Sequence, residues 1–220
     1  MSHTDEIAHR LAEILLLELP EFRYTRSRTQ LRKRTEEFSD DLIIDVTTRN
    51  GTDYSLSFYL GVAHTETEKL ISEIEERKIT PYDRTVFLYS VNQQNFELLD
   101  FTGDTCWCAL KRDTDFSEVS SGIQRFIREC AQSYFQHFHD LLTIRASLEA
   151  RDGLGQNQAP FKQVLAIDAL LGDSDHIRSY LVLLQSELDG GYRHDVQSFN
   201  QFYQAISIRF PHLFSSFELK

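Results

Sequence analysis

The sequence predicts an α+β protein: an antiparallel sheet of four to six strands, with an N-terminal helix and a C-terminal helical layer. Three observations predict it. Apolar residues recur at helical spacing over residues 4–19. They change to a period of two on both sides of Asn50-Gly51, and the helical spacing returns from Ser117 onward. Strand patterns and helix patterns that are segregated along the chain, rather than alternating, mark the α+β class. The 220 residues suit one domain, sheet-rich over 1–116 and helical over 117–220. Hydrophobic residues make up 41% and charged residues 26%, the balance of a folded chain rather than a disordered one.

The first helix carries Ile7, Leu11, Ile14 and Leu15 on one side. Thr4 is its expected N-cap, Asp5 and Glu6 suit the positive end of the helix dipole, and Pro20 stops it. Leu42, Ile44 and Val46 then alternate with Ile43, Asp45 and Thr47, and Tyr54, Leu56, Phe58, Leu60 and Val62 alternate with smaller or polar residues. Asn50-Gly51 between them is the pair that best fits a two-residue type I′ turn, so a long hairpin is expected. A preceding strand over about 29–38 would join it through a turn at Phe38–Asp41. A charged helix follows over 66–78, with Leu70, Ile71 and Ile74 as its apolar face. Strands are expected at Thr85–Val91 and Thr105–Lys111, with a shorter one around Phe96–Phe101.

From Val119 to Leu142 apolar residues fall at steps of three and four. Gly153 and Gly155 interrupt the pattern, residues 160–171 form another helix ended by Gly172, and Asp173 or Ser174 caps the next, over about 175–188. Gly190-Gly191 closes it, and a last helix, capped by Asp195 or Ser198, runs to about Phe210 before Pro211. Phe214 and Phe217 lie beyond that helix and are expected to dock back onto the body.

Charge narrows the function classes. With 34 acidic and 23 basic side chains the chain carries −11, which argues against general binding to nucleic acid and suits a basic partner. The charge is uneven. Residues 21–34 hold Arg23, Arg26, Arg28, Arg32, Lys33 and Arg34 against Glu21, a net of +5 in a chain that is −16 elsewhere. If this stretch is extended, Arg26, Arg28, Arg32 and Arg34 share one face and form a stripe fit to grip an anion or a partner. The alternative is a stripe that neutralises its acidic flanks and deters edge-to-edge pairing.

Other clusters point to packing. Cys106-Trp107-Cys108, in an expected strand, would set both sulfurs on one face, but zinc sites space cysteines more widely, so core thiols are expected. His137 and His139 are two apart in an expected helix, which turns them about 200° from each other and prevents chelation of one ion. A calcium loop starting at Asp173 fails, because its glycine and glutamate positions hold Arg178 and Leu184. No phosphate loop, dinucleotide fingerprint or nucleophile elbow occurs in the sequence. No catalytic residue, metal or cofactor is therefore assigned. Three cysteines are no disulfide framework, no signal peptide is read at the start, and no apolar run reaches membrane length, so a cytoplasmic protein is expected.

The order of pieces resembles a bacterial domain-of-unknown-function family. The resemblance rests on Tyr54-Ser-Leu-Ser-Phe-Tyr-Leu-Gly-Val62, on Cys130-Ala-Gln-Ser-Tyr-Phe-Gln-His-Phe138 leading into Leu141–Leu148, and on Ala166-Ile-Asp-Ala-Leu-Leu-Gly-Asp173. It implies an N-terminal helix, a meander and helical C-terminal elements, and no catalytic residues. Some acidic proteins of this style resemble immunity proteins, which cover the basic active sites of toxins. The leading expectation is thus a non-catalytic cytoplasmic protein-binding module, immunity-like, with a basic partner. The alternatives are a small-anion or nucleic-acid binder that uses the arginine stripe, and an unrecognised enzyme. The oligomeric state is left open.

Overall fold

The structure, a computed structural model, describes residues 3–49, 53–80, 83–91, 96–99, 101–103, 105–111, 114, 116–151, 160–189 and 196–214. The chain opens with helix α1 (His3–Glu18) and then forms strands β1 (Arg23–Thr25), β2 (Gln30–Arg34), β3 (Phe38–Arg49) and β4 (Asp53–His64). Helix α2 (Thr65–Ile74) and strands β5 (Val86–Val91) and β6 (Ala109–Lys111) follow. The helical part comprises α3 (Phe116–Phe126), a π turn over Ile127–Ala131, α4 (Gln132–His137), α5 (Leu141–Ala150), α6 (Pro160–Leu171), α7 (Ser174–Asp189), α8 (Val196–Arg209) and the short α9 (Pro211–Phe214). The expected α+β class holds. The sheet runs in the order β1-β2-β3-β4-β5, with β6 also paired to β4, and every pairing is antiparallel.

The centre of the sheet is the hairpin read from the alternation. β3 and β4 pair over 12 residues each, from Phe38 opposite His64 to Arg49 opposite Asp53. The Asn50-Gly51 turn lies outside the described residues. Period two sends Leu42, Ile44, Leu56, Phe58, Leu60 and Val62 to one face, where each is almost wholly buried. Leu31 of β2 and Val86 and Leu88 of β5 join them. Helix α1 lays Ile7, Leu11 and Leu15 over this face. An aromatic group fills the seam between the sheet and α3: Phe58 stacks on Phe126 with centroids 5.4 Å apart, and Trp107 lies 5.6 Å from the same ring.

The remaining helices are tied by charge as well as by packing. Arg145 of α5 donates to Asp168 of α6 and, at 2.9 Å, to Asp173. His176 of α7 sits with Nδ1 2.8 Å from Asp168 and Nε2 2.9 Å from Glu149. Asp168 has no solvent exposure, so these partners are what allows a carboxylate inside three helices. The expected stop at Gly172 holds, with φ of +70, and Asp173 caps α7 by accepting from the His176 N–H at 3.1 Å. Phe214 docks back against Tyr203, with centroids 5.9 Å apart; Phe217 lies outside the described residues.

Several boundaries differ from expectation, each for a physical reason. Residues 24–34 are not one extended strand: Arg26–Arg28 form a 3-10 turn and Thr29 takes φ of 47, because β1 must reverse to pair with β2. The next turn falls at Thr35–Glu37 rather than Phe38–Asp41. Thr35 Oγ1 accepts from the Phe38 N–H at 2.9 Å, which closes the turn and puts Phe38 in phase with Leu42 on the core face. Helix α2 stops at Ile74, where Glu76 takes φ of 50 and the Arg77 N–H returns to the Ser72 carbonyl at 3.0 Å. Phe96–Leu99 and Cys106–Cys108 are 3-10 turns, not strands. Trp107 and Cys108 are neighbours and both buried, which a strand with one core face cannot arrange. The long helical pattern breaks at Phe138, and Asp140 caps α5 by accepting from the Thr143 N–H at 2.7 Å. Helix α1 begins at His3, so Thr4 lies within its first turn. Asp195 and the Gly153, Gly155 and Gly190-Gly191 breaks lie outside the described residues.

Gly122 of α3 faces the indole, and a Cβ there would sit 2.5 Å from Trp107 Cδ1. Gly122→Val is therefore expected to destabilise the protein by about 1–3 kcal/mol through overpacking. Urea unfolding checks this as a lower midpoint at an unchanged slope.

Candidate functional site

The sheet face turned away from α1 is polar. The register sets Arg32 of β2 opposite Asp41 of β3, and Asp41 opposite Gly61 of β4. Gly61 in turn faces Phe87 of β5. The absence of a side chain at Gly61 is what opens this face: a Cβ would lie 2.8 Å from both Arg84 Cδ and Phe87 Cδ2. The Arg84 side chain crosses the sheet through that gap and reaches Asp41.

Asp41 has no solvent exposure and is held by three side chains. Arg32 donates to it from Nε at 2.6 Å and from Nη2 at 3.2 Å. The Gln30 amide donates to the same oxygen as Arg32 Nε. Arg84 Nε lies 2.7 Å from Oδ2, at an angle that makes the contact an ion pair rather than a hydrogen bond. Burial pushes the Asp41 carboxyl up from its usual range, and Arg84, Arg32 and Gln30 oppose that rise. Arg84, with a side chain only 4% exposed, is pulled down to about 10 by burial, against the pull of Asp41. Its Nη2 is buried without a hydrogen-bond acceptor among the described residues.

Above this cluster opens a cleft of about 390 Å³, lined by Arg32, Arg34 and Arg84 on one side and by Glu68, Asp83 and Ile79 among others. Asp83 is engaged: it accepts from Arg77 Nη1 at 2.6 Å and from the Thr80 N–H. Glu68, on the first turn of α2, is 4% exposed. Its Oε1 accepts from Thr85 Oγ1 at 3.0 Å, and that hydroxyl accepts from the His64 N–H at 2.7 Å. Burial raises the Glu68 carboxyl to about 7; the Thr85 hydrogen bond opposes the rise and Asp83 adds to it. The cleft thus gathers Arg32 and Arg34, with Arg84 held at its wall by Asp41 and by the Asp83 carbonyl that its Nη1 donates to, beside a buried carboxyl raised to about 7.

The four arginines read as a stripe part company here. Arg32 and Arg34 line the cleft, whereas Arg26 and Arg28 are exposed on the 3-10 turn between β1 and β2. Reading the sequence missed Arg84, Glu68 and the role of Asp41. One signal was present: Gly61 stands inside the strand pattern on its polar phase, and a glycine inside a strand marks a close approach.

A second cleft of about 330 Å³ lies by Lys33, Asp40, Gln136 and His139. His139 Nε2 sits 2.6 Å from Asp40 Oδ1, and the imidazole stacks on Phe38 with centroids 4.7 Å apart. Burial raises the Asp40 carboxyl, and His139 opposes it. His139 is thus a boundary residue while His137 is exposed. Cys108 and Cys130 are buried, and Cys130 Sγ donates to the Leu99 carbonyl at 3.8 Å. Among the described residues no group of three or more histidine, cysteine or acidic side chains is placed to hold a metal, and no helix is long and apolar enough to cross a membrane. Comparison with family models, with curated proteins and with solved structures finds no match.

Two stability effects follow from this geometry. Asp41→Asn removes the counter-charge from two largely buried guanidiniums and is expected to cost about 3–5 kcal/mol, read from chemical denaturation. Glu68 acts with the opposite sign. Its carboxyl binds a proton more tightly when folded, so the stability it contributes is full below its ordinary value of 4.5 and lost as pH rises through about 7. Glu68→Gln is expected to be more stable than the parent at about pH 8, by up to about 3 kcal/mol, with the gain vanishing near pH 4. Urea midpoints across that range check it.

Proposed function

We propose that the protein is a non-catalytic binding module that takes an anionic group, a carboxylate, sulfate or phosphate, into the cleft of Arg32, Arg34 and Arg84. One observation carries this reading: two guanidiniums, Arg32 and Arg84, are fixed against a single buried carboxylate at the wall of an open cleft, with the exposed Arg34 on the same strand as Arg32. Asp41 pairs with both of them, and Arg34 adds a third guanidinium to a lining that also holds Glu36, Glu68 and Asp83. Asp83 is already met by Arg77. Guanidinium groups pair oxyanions bidentately, and arginines held in place by a buried partner lose little freedom on binding. The −11 charge supports a second reading, a basic protein partner drawn to the acidic surface elsewhere, in the manner of an immunity protein.

Sulfate is a suitable probe, followed by amide chemical shifts at constant ionic strength. Wild type is expected to bind it at the cleft. Arg34→Glu, an exposed site whose change should leave folding intact, is expected to weaken binding by about tenfold or more. Reversal of Arg26 and Arg28 together is expected to leave affinity within about twofold, since both lie off the cleft. No sulfate binding by wild type, or equal binding by Arg34→Glu, removes the anion reading. A stable complex with a basic protein that survives Arg34→Glu supports the second.

A further inference from the structure

The cleft that carries the arginines also carries an acid that would repel their ligand. Glu68 lines the same space as Arg32, Arg34 and Arg84, and it is buried rather than turned out to solvent. A charged carboxylate there lies beside Asp83, a like charge, and faces Glu36 as well as the arginines across the cleft. Arg77 and Arg84 are the cations that act on it. Arg77 is shared between Glu75 and Asp83, and Arg84 is drawn toward Asp41. The helices packed on α2 bring Lys162 of α6 and Arg209 of α8, but these pair with Glu75 and Glu73. His64, at the start of α2, bonds Thr67 rather than Glu68. Among the described residues no cation on the neighbouring elements is therefore dedicated to Glu68.

Its hydrogen bonds set where a proton would go. The Thr85 hydroxyl accepts from the His64 N–H and donates its own hydrogen to Glu68 Oε1. While that bond is kept, Oε1 is occupied as an acceptor and Oε2 is the oxygen left to carry a proton. In that state Glu68 changes from a repelling charge into a hydrogen-bond donor at the wall of the anion's cleft.

We infer that the cleft takes up its anion together with one proton, which binds at Glu68 Oε2. The inference rests on the anion-binding reading above. By linkage, anion and proton each raise the affinity for the other. Below neutrality Glu68 is already protonated and the anion binds without further uptake. Above neutrality each anion must bring a proton from solvent, so its affinity falls as pH rises.

Sulfate tests this, because it does not itself titrate near neutrality. Its affinity for the whole chain is measured at about pH 6 and about pH 8 at equal ionic strength, and the Glu68 side-chain carboxyl is followed by carbon NMR with and without saturating sulfate. Wild type is expected to bind sulfate about tenfold more tightly at the lower pH, and the Glu68 titration midpoint is expected to move upward when sulfate is bound. Glu68→Gln, which keeps the acceptor for Thr85, is expected to hold the tighter affinity at both pH values. A wild-type affinity indifferent to pH, an unmoved midpoint, or a Glu68→Gln variant that keeps the full pH dependence overturns the proton linkage and leaves the anion site standing. Absence of sulfate binding at both pH values overturns the site and the linkage together. The carbon titration is made on the unmodified protein, so the linkage is decided even if the variant folds poorly.

Discussion

The antiparallel register between β3 and β4 is the constraint on which the rest of the structure depends. A period of two sends every second side chain to the core, and a slip of one residue would exchange the two faces. In the observed register Leu42, Ile44, Phe58, Leu60 and Val62 lie under α1 and the α3 seam. The same register puts Asp40 and Asp41, adjacent in sequence, on opposite faces. Asp40 meets His139 on the helical side, and Asp41 meets Arg32 and Arg84 on the other. Each cleft is thus set by one member of a pair of neighbouring acids.

Both buried acid clusters serve more to specify position than to add stability. Taking Asp41 or Asp168 out of water costs several kcal/mol, roughly what their ion pairs return. What the pairs do well is exclude alternatives. Asp41 can be buried only where two guanidiniums and the Gln30 amide converge, which ties β2 and the approach to β5 to the middle of the sheet. Asp168 does the same for α5, α6 and α7 through Arg145 and His176. A wrong pairing of elements would leave a bare charge inside, and the penalty for that far exceeds the gain from any single correct pair.

Much of the fold was legible because it depends on local periodicity. The hairpin, α1, the stop at Gly172 and the Asp173 cap each rest on a few neighbouring residues, and the structure has them where the pattern put them. The misplaced elements are those where tertiary packing overrides the local pattern. Cys106–Cys108 turns because Trp107 and Cys108 must both be buried, and the arginine-rich stretch turns because β1 has a partner to reach. The candidate site was half legible. Arg32 and Arg34 stood out as charge, but Arg84 and Glu68 sit 50 and 34 residues beyond them in ordinary charged surroundings. Only the three-dimensional gap at Gly61 brings Arg84 to Asp41. Sequence separation hides such a site, since nothing local requires its members to meet.

The chain has a single tryptophan, and its place gives the protein a built-in optical reporter. Trp107 is sealed among Phe58, Phe96 and Phe126 on the core face, with Gly122 pressed against the indole. Its emission therefore belongs to the junction of sheet and helices, shielded from water while that junction is closed. The cleft lies on the other face of the same sheet. Light from the indole will follow the parting of the two halves of the fold and remain indifferent to what enters the cleft, so that loss of structure and occupancy of the site can be told apart in one sample.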